Sequence, residues 1–219
     1  QEANRRLHKA YNKVKDNNFA LSGLLGLDLH NKTAGIVGTG KIGVCMAKIC
    51  KGYGMTVLGW DAYPNEELEK EGVLTYVEKE ELFRRGDLIS LHAPLFPITH
   101  HIVNEESIAL MKDTAMLVNT ARGPLIDNEA LIRALKKGKF QAVALDVYEG
   151  EDENVYTDRS DKAITDDITA RLLMFPQVVL TSHQAFFTRE AMQAIAVVTM
   201  ENARNFNEGN DYGQAEVKA

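Results

Sequence analysis

From Lys32 onward, short runs of apolar and β-branched residues alternate with stretches of helical pattern. This alternation is typical of βαβ units, in which a helix crosses the sheet and returns the chain to a parallel strand. The apolar runs predict seven strands: TAGIVG, MTVLGWD, GVLTY, DLISLHAP, AMLVNTARG, FQAVALDVY and VVLTSH. We therefore expect an α/β fold built on a doubly wound parallel sheet.

Three glycines lie between the first predicted strand and the first predicted helix. Gly38, Gly40 and Gly43 form the motif GTGKIG. In such a motif the first glycine permits a tight turn, the second lets the backbone approach a pyrophosphate, and the third lets the helix pack on its strand. The helix amino terminus then offers unpaired amides and the positive end of its dipole to phosphates. By itself the motif also fits an ordinary glycine-rich turn, so its surroundings decide its meaning.

An acidic residue downstream supplies that context. Asp61 ends the second predicted strand 18 residues after Gly43, where a carboxylate can accept hydrogen bonds from both ribose hydroxyls of a dinucleotide. An acid there favours NAD over NADP, because a 2'-phosphate would meet a like charge. Lys41 and Ile42 would border the pyrophosphate. Taken alone, Asp61 also fits a solvated turn, but the whole pattern predicts a Rossmann NAD-binding domain.

Three polar residues follow late strands of the predicted sheet. Arg122 comes after AMLVNTA, Glu151 after ALDVYEG, and His183 after VVLTS. The carboxyl ends of parallel strands share one edge, where such folds also bind the cofactor. Arg122 can hold a substrate carboxylate, His183 can donate a proton near neutral pH, and Glu151 can orient that imidazole. Each residue alone also fits a structural role, but together they predict hydride transfer between NADH and a small 2-keto acid.

The charge of the chain excludes several classes of partner. With a net charge of -6 and a pI near 5.6, the surface is not suited to neutralise the phosphates of nucleic acids or of an anionic membrane. No apolar run reaches the roughly 18 to 20 residues that cross a bilayer. The opening QEANRRLHKA has no apolar signal core. We expect neither nucleic-acid nor membrane partners.

The cysteines and the remaining histidines indicate no further site. Cys45 and Cys50 lie five apart within a helical pattern and face different directions, so we expect no disulfide between them and a reducing, cytoplasmic location. His92 ends a strand beside the predicted cofactor site, whereas His100 and His101 lie in a loop. No pair of histidines has metal-ligand spacing with a supporting cysteine or carboxylate, so no metal site is predicted.

The regions flanking the predicted sheet differ from it in composition. We divide the chain into a basic lead-in helix and linker (1–30), the nucleotide-binding domain (31–187), and a helix with a tail (188–219). Residues 149–171 are acidic and poor in large apolar groups, which predicts a long surface loop that serves a site. The last helix is predicted from Thr188 to Phe206. Because the sequence begins without Met and inside a helical pattern, we expect a longer natural protein.

Six segments, GIVGTGKIG, GWDAYP, SLHAPL, VNTARGPLID, LDVYEGE and SHQAF, occur in this order. Together they resemble the D-isomer-specific 2-hydroxyacid dehydrogenase family over nearly the whole chain. The stretches RRLHKAYNKVKDNNF and SHQAFFT, and the acidic insert after LDVYE, resemble its fermentative D-lactate dehydrogenase branch. The resemblance implies an NAD-dependent enzyme that interconverts pyruvate and D-lactate, with His183 as proton donor, Glu151 orienting it and Arg122 binding substrate.

The resemblance also implies which residues contact the cofactor and the substrate. Besides the glycine motif, the implied contacts with NAD are Lys41, Ile42, Asp61, Ala93, Pro94, Thr99, Thr120, Ala121 and Asp146. Thr99 departs from the family pattern, which often has Asn in that loop. Phe186 would form the aromatic wall of a small substrate pocket that also contains Arg122 and His183.

Family members carry a further N-terminal region of a substrate-binding domain, and they close it over the cofactor domain. Most of that second domain is therefore expected to be absent from this chain, which we expect to bind NADH but to catalyse poorly. Members are commonly homodimers, and the lead-in helix is a candidate dimer element. Two alternatives stay open: a dehydrogenase for a bulkier 2-hydroxy acid, and an NADH-sensing corepressor-like protein that recruits partners.

Overall fold

Seven strands form the centre of the fold. The computed structural model describes residues 1–210, apart from the side chain of Glu153. Its strands are β1 (Thr33–Val37), β2 (Thr56–Trp60), β3 (Thr75–Tyr76), β4 (Leu88–Leu91), β5 (Met116–Asn119), β6 (Ala142–Leu145) and β7 (Val178–Leu180). They lie in the order β3-β2-β1-β4-β5-β6-β7, and every neighbouring pair is parallel. The doubly wound parallel sheet is confirmed.

The direction of strand addition reverses between β1 and β4, which are hydrogen-bonded neighbours. In an open parallel sheet this switch point leaves a crevice at the carboxyl ends of the strands, and ligands bind there. The connection that follows β1 is the glycine motif, and the connection that follows β4 begins at His92. The topology therefore places the predicted cofactor residues at the usual ligand site of such folds.

Most of the helices connect consecutive strands of the sheet. In the order of the chain they are α1 (Glu2–Arg5), α2 (Leu7–Lys15), α3 (Lys41–Gly52), α4 (Glu66–Lys70), α5 (Lys79–Arg85), α6 (Glu105–Leu110), α7 (Asn128–Lys136), α8 (Asp167–Met174) and α9 (Arg189–Glu208). The lead-in predicted as one helix is broken at Arg6, whose φ of 48° is left-handed. Asp127 caps α7 by accepting the Ala130 amide at 3.0 Å, which explains the sharp start of that helix.

Apolar side chains cover both faces of the sheet. One cluster contains Phe83, Leu117 and Leu131, all fully buried, and a second contains Ile36 and Cys50. Strands buried on both faces explain why the sequence shows continuous apolar runs instead of alternation. This packing fixes the strand ends from which the candidate site projects.

The acidic segment predicted as a loop contains part of a helix. A short 3-10 turn covers Glu151–Glu153, and α8 begins at Asp167. Asp166 caps α8 by accepting the amides of Ile168 and Thr169, and Leu172 is fully buried. The loop prediction therefore holds only as far as Asp166, because a capping aspartate and one buried leucine suffice to fix a short helix.

The chain divides into two units, Gln1–Ser182 and a second unit that begins at His183. In the second unit, Thr188 caps α9 by accepting the Ala191 amide at 3.2 Å, and the left-handed Gly209 ends the helix. Apolar side chains along α9 are exposed, including Met200 at 71%. No helix within residues 1–210 is both long enough and apolar enough to cross a membrane.

Candidate dinucleotide-binding and active site

The glycine motif forms a tight turn packed against the neighbouring connection. Gly38 has a left-handed φ of 90°, and a Cβ there would lie 2.4 Å from the Ala93 amide nitrogen. A Cβ on Gly43 would lie 1.9 Å from the Gly38 carbonyl oxygen. Both positions therefore require glycine, one for conformation and closeness, the other for the packing of α3 on its own turn.

Gly40 differs because its surroundings are open. A Cβ built on it would meet no atom within 4 Å, and Gly40 precedes α3 with no side chain capping the first helical amides. Lys41 and Ile42, the first two residues of α3, are both exposed. Free amides at the amino end of a 12-residue helix, beside a position without a side chain, fit the pyrophosphate of a dinucleotide.

Asp61 is joined to the glycine turn. Its Oδ2 accepts the Thr39 amide at 2.6 Å and the Thr39 hydroxyl at 3.1 Å, and its Oδ1 accepts the Tyr63 amide at 2.9 Å. The Thr39 Oγ1 lies 2.8 Å from the Tyr76 hydroxyl oxygen. The carboxylate predicted to bind ribose is thus held at the end of β2, next to the glycine turn.

His92 supports the same turn from β4. Its amide donates to the Val37 carbonyl at 2.7 Å, and its Nε2 lies 2.8 Å from the Ser90 hydroxyl oxygen. Burial lowers the pKa of the imidazole to about 4. His92 is therefore neutral at physiological pH and stabilises the wall of the cofactor crevice instead of transferring protons.

The three predicted cofactor residues in the connection after β4 differ from one another in burial. Ala93 is buried against the glycine turn, whereas Pro94 is exposed. Thr99 is buried, and its hydroxyl donates to the Pro94 carbonyl at 2.6 Å and accepts the Phe96 amide at 2.8 Å. The Thr99 side chain thus organises the loop itself, and we infer that any effect on the cofactor is indirect.

Arg122 lies on a turn held by a buried asparagine. The Asn119 side chain donates to the Arg122 carbonyl at 2.9 Å and accepts the Ala121 amide at 3.0 Å. The Arg122 side chain is exposed, and its Nη1 donates to the Ala121 carbonyl at 2.7 Å. It makes no ion pair within the described chain, so most of its donors face solvent. Thr120, next to this turn, is also exposed.

The Arg122 turn packs directly on the segment that leads to Glu151. A Cβ on Gly123 would lie 2.3 Å from the Tyr148 carbonyl carbon and 2.6 Å from the Glu149 amide nitrogen. Glu151 is partly buried, and its Oε2 accepts the Tyr148 amide at 3.0 Å. The fold therefore brings the predicted cation and the predicted carboxylate onto two adjoining connections of one sheet edge.

Asp146 lies at the end of β6 and is 5% exposed. Its carboxylate accepts the Thr181 hydroxyl at 2.5 Å, which ties the end of β6 to the end of β7. A cavity of about 190 Å³ opens beside Glu151. Its lining residues are Tyr148, Glu151, Asn154, Val155, Thr169, Leu180, Thr181 and Ser182.

His183, the predicted proton donor, is the first residue of the second unit. Its φ of 50° is left-handed, and its ring meets the Phe186 ring edge-on with centroids 6.2 Å apart. The predicted donor and the predicted aromatic wall of the pocket are thus neighbours within that unit.

Comparison with known families identifies the chain. Residues 1–185 match the family model described as D-isomer specific 2-hydroxyacid dehydrogenase, NAD binding domain. The chain belongs to the D-isomer-specific 2-hydroxyacid dehydrogenase family. Its doubly wound unit is therefore the NAD-binding domain of that family, and NAD is its cofactor.

Individual members of the dehydrogenase family extend the match. The D-lactate dehydrogenase of Escherichia coli is 46% identical over 206 residues, which cover 94% of this chain and 62% of that protein. The aromatic 2-oxoacid reductase of Clostridium sporogenes is 41% identical over 203 residues, 92% of this chain and 61% of that protein. The chain spans about three fifths of the length of the curated relatives that it matches.

A solved structure of the family shows the same fold. The D-lactate dehydrogenase from Aquifex aeolicus, complexed with NAD and lactic acid, superposes with a TM-score of 0.86 at 36% identity. The match covers 95% of this chain and 63% of that structure. The partial coverage agrees with the expectation that much of a second domain is absent from this chain.

Sequence reasoning missed the residues that hold the candidate site together. Thr39 bonds Asp61 and is itself bonded by Tyr76, and Asn119 holds the Arg122 turn. A signal existed for Asn119, because asparagine at the end of a strand and before a turn commonly bonds the backbone two residues on. Nothing in the sequence pairs Tyr76 with Thr39, which lies 37 residues away.

Proposed function

We propose that this protein is an NAD-dependent D-lactate dehydrogenase. It reduces pyruvate with NADH to D-lactate and NAD, and it also catalyses the reverse reaction. The observation that carries the proposal is the packing of the Arg122 turn on the segment of Glu151, at the edge that also carries the glycine turn. An exposed guanidinium beside a carboxylate at a nicotinamide site suits a small 2-keto acid.

The binding part of the mechanism rests on the glycine turn and Asp61. The amides of α3 and the open face at Gly40 hold the pyrophosphate, and Asp61 holds the adenosine ribose. A 2'-phosphate on that ribose would meet the Asp61 carboxylate, which favours NAD over NADP. When bound, the nicotinamide supplies or accepts the hydride.

The reacting groups of the substrate are handled by three side chains. Arg122 holds the carboxylate of pyruvate through a bidentate contact and so fixes the position of the keto carbon. His183 donates a proton to the carbonyl oxygen as that carbon is reduced, and takes the proton back in the reverse reaction. Glu151 orients the imidazole toward the substrate.

A bulkier 2-keto acid is the second candidate substrate. The similarity to the aromatic 2-oxoacid reductase supports it, and Phe186 is the residue that we expect to limit the size of the pocket. An NADH-sensing corepressor-like role is the third candidate, because the same domain can bind NADH without turnover. The acidic loop residues that resemble the D-lactate branch favour the enzyme.

We further propose that the protein is a cytoplasmic homodimer in which α1 and α2 form part of the interface. Exposed apolar residues on α2, including Tyr11 and Val14, support this proposal. We also propose that α9, with its exposed apolar side chains, packs on a substrate-binding domain outside this chain. Sedimentation that shows only monomers at micromolar concentrations would refute the dimer.

The test uses the full-length protein. NADH oxidation is followed with pyruvate and with phenylpyruvate, and the chirality of the product is determined. We expect pyruvate to react faster and to yield D-lactate, and we expect His183→Ala to reduce kcat at least about a hundredfold because it removes the proton donor. His8→Ala, which changes a partly exposed histidine 175 residues before His183 in the sequence, is the matched control and should retain activity.

Each other outcome has a defined meaning. Faster reduction of phenylpyruvate would transfer the proposal to the bulkier substrate and keep the mechanism. NADH binding without turnover of any 2-keto acid would favour the sensor. Undiminished kcat in His183→Ala would refute the assigned proton donor.

A further inference from the structure

Three side chains of metal-binding type meet outside the dinucleotide site. His100 and His101 lie in the connection after β4, and Glu149 lies after β6, 48 residues beyond His101. His101 Nε2 is 2.9 Å from Glu149 Oε2, and the two imidazole rings stack with centroids 3.9 Å apart. One ligand atom from each residue lies within 4.8 Å of the other two.

The backbone under this cluster is held in place. The His101 amide donates to the Pro124 carbonyl at 2.9 Å, and the Glu149 carbonyl accepts the Asn128 side-chain amide at 3.0 Å. His101 has a φ of 48°, in the left-handed region that non-glycine residues seldom adopt. Two segments distant in the sequence are thus fixed side by side, with the three side chains projecting from them.

The cluster is open to solvent and therefore accessible to an ion. His100 is exposed, and the side chains of His101 and Glu149 are 32% and 39% exposed. Ligand bonds to zinc measure about 2.0 to 2.2 Å, so the donors around a tetrahedral ion lie roughly 3.3 to 3.5 Å apart. The contact between His101 and Glu149 is already close to that spacing, and rotation of the exposed His100 side chain can supply the third ligand.

We propose that His100, His101 and Glu149 bind a divalent transition metal ion of the Zn²⁺ type, with water completing the coordination. Two imidazoles and one carboxylate are a ligand set that suits zinc and related ions, in contrast to the oxygen-only sets of Mg²⁺ and Ca²⁺. The bound ion links the loop after β4 to the segment that leads to Glu151. The proposal does not depend on the dehydrogenase activity.

The test measures binding of Zn²⁺ alone to the chain after chelator treatment and removal of NAD. Calorimetry should give one ion per chain, and Co²⁺ should give a visible spectrum that Zn²⁺ abolishes. His100→Ala and Glu149→Gln each remove a proposed metal ligand and should each weaken Zn²⁺ binding by at least about tenfold. Loss of a group that only supports a ligand already weakens metal binding by that much. Zn²⁺ should also raise the melting temperature of the unmodified chain by more than it raises that of His100→Ala at the same Zn²⁺ concentration.

A matched control exists on the lead-in helices. His8 Nδ1 lies 3.0 Å from Glu2 Oε1, an exposed pair like that of His101 and Glu149, but within residues 1–210 it has no third ligand close by. His8→Ala should therefore leave Zn²⁺ affinity unchanged.

The proposal is overturned if no Zn²⁺ binds, if His100→Ala and Glu149→Gln bind it as tightly as the unmodified chain, or if His8→Ala abolishes binding. If Glu149→Gln unfolds, His101→Asn replaces it, because asparagine tolerates the left-handed backbone and lacks the imidazole. Unweakened binding in His101→Asn likewise contradicts the site.

Discussion

His92 should make the free energy of unfolding depend on pH, and substitution of His92 by a residue that does not titrate should remove that contribution. Burial between the end of β4 and the glycine turn lowers the pKa of its imidazole from 6.5 to about 4. The folded chain therefore keeps His92 neutral at pH values where the unfolded chain protonates it. The stabilisation from this difference is complete above pH 6.5 and is lost as the pH falls from 6.5 toward 4.

The size of the effect follows from the two pKa values. They differ by about 2.5 units, and each unit corresponds to about 1.36 kcal/mol, so the upper limit is about 3 kcal/mol. Between pH 7.5 and pH 5 the expected loss in the free energy of unfolding is about 2 kcal/mol, because the folded imidazole is still mostly neutral at pH 5.

Urea unfolding at pH 7.5 and at pH 5 measures this loss. The single tryptophan, Trp60, ends β2 and provides the fluorescence signal. The same measurement on His92→Gln supplies the control, because glutamine does not titrate and its amide can bond the Ser90 hydroxyl. The titration of carboxylates is common to both chains and cancels in the difference. We expect the unmodified chain to lose about 2 kcal/mol more than the variant.

Equal losses in the two chains would refute the reasoning, because they would mean that His92 titrates alike in the folded and unfolded states. An NMR titration that places the pKa of His92 near 6.5 in the folded chain would refute it directly. A larger loss in His92→Gln than in the unmodified chain would reverse the sign of the argument.

Three further predictions concern the first unit. Gly43→Ala should lower the free energy of unfolding by about 3 kcal/mol in urea titrations, because its methyl would lie 1.9 Å from the Gly38 carbonyl oxygen; unchanged stability would show that the turn yields freely. A thiol reagent should label exposed Cys45 rapidly and Cys50 only on unfolding, because burial raises the pKa of the Cys50 thiol to about 11; equal labelling rates in the folded chain would contradict this. Tyr76→Phe should weaken NADH binding several-fold in fluorescence titrations and cost about 1 kcal/mol of stability, because its hydroxyl bonds the glycine turn; unaltered affinity would show that the turn keeps its shape without that bond.

The sequence by itself determined the fold class and the position of the glycine turn. Apolar runs separated by helical stretches allowed one architecture, and GTGKIG located the turn that follows β1. Both features are local, since period, glycine conformation and helix caps act within a few residues. The spacing of Cys45 and Cys50 on α3 acts in the same local way, since it leaves Cys45 exposed and Cys50 buried.

The local sequence pattern also predicted which residues of the candidate site share one edge of the sheet. Arg122 and Glu151 could be assigned to one edge of the sheet, because each follows the end of a strand and all parallel strands end on the same side. The start of α8 at Asp167 was missed, since the buried position of Leu172 comes from its packing in the tertiary structure and not from a long periodic pattern.

Only the tertiary structure decided which distant residues meet. Gly123 packs on Glu149, Thr39 joins Asp61 to Tyr76, and Glu149 completes a cluster with two histidines. Spacing along the chain predicted no metal site, because the carboxylate that contacts His101 belongs to a residue 48 positions away in sequence. Such contacts depend on strand order and on the packing of one connection against another, which no local pattern of residues encodes.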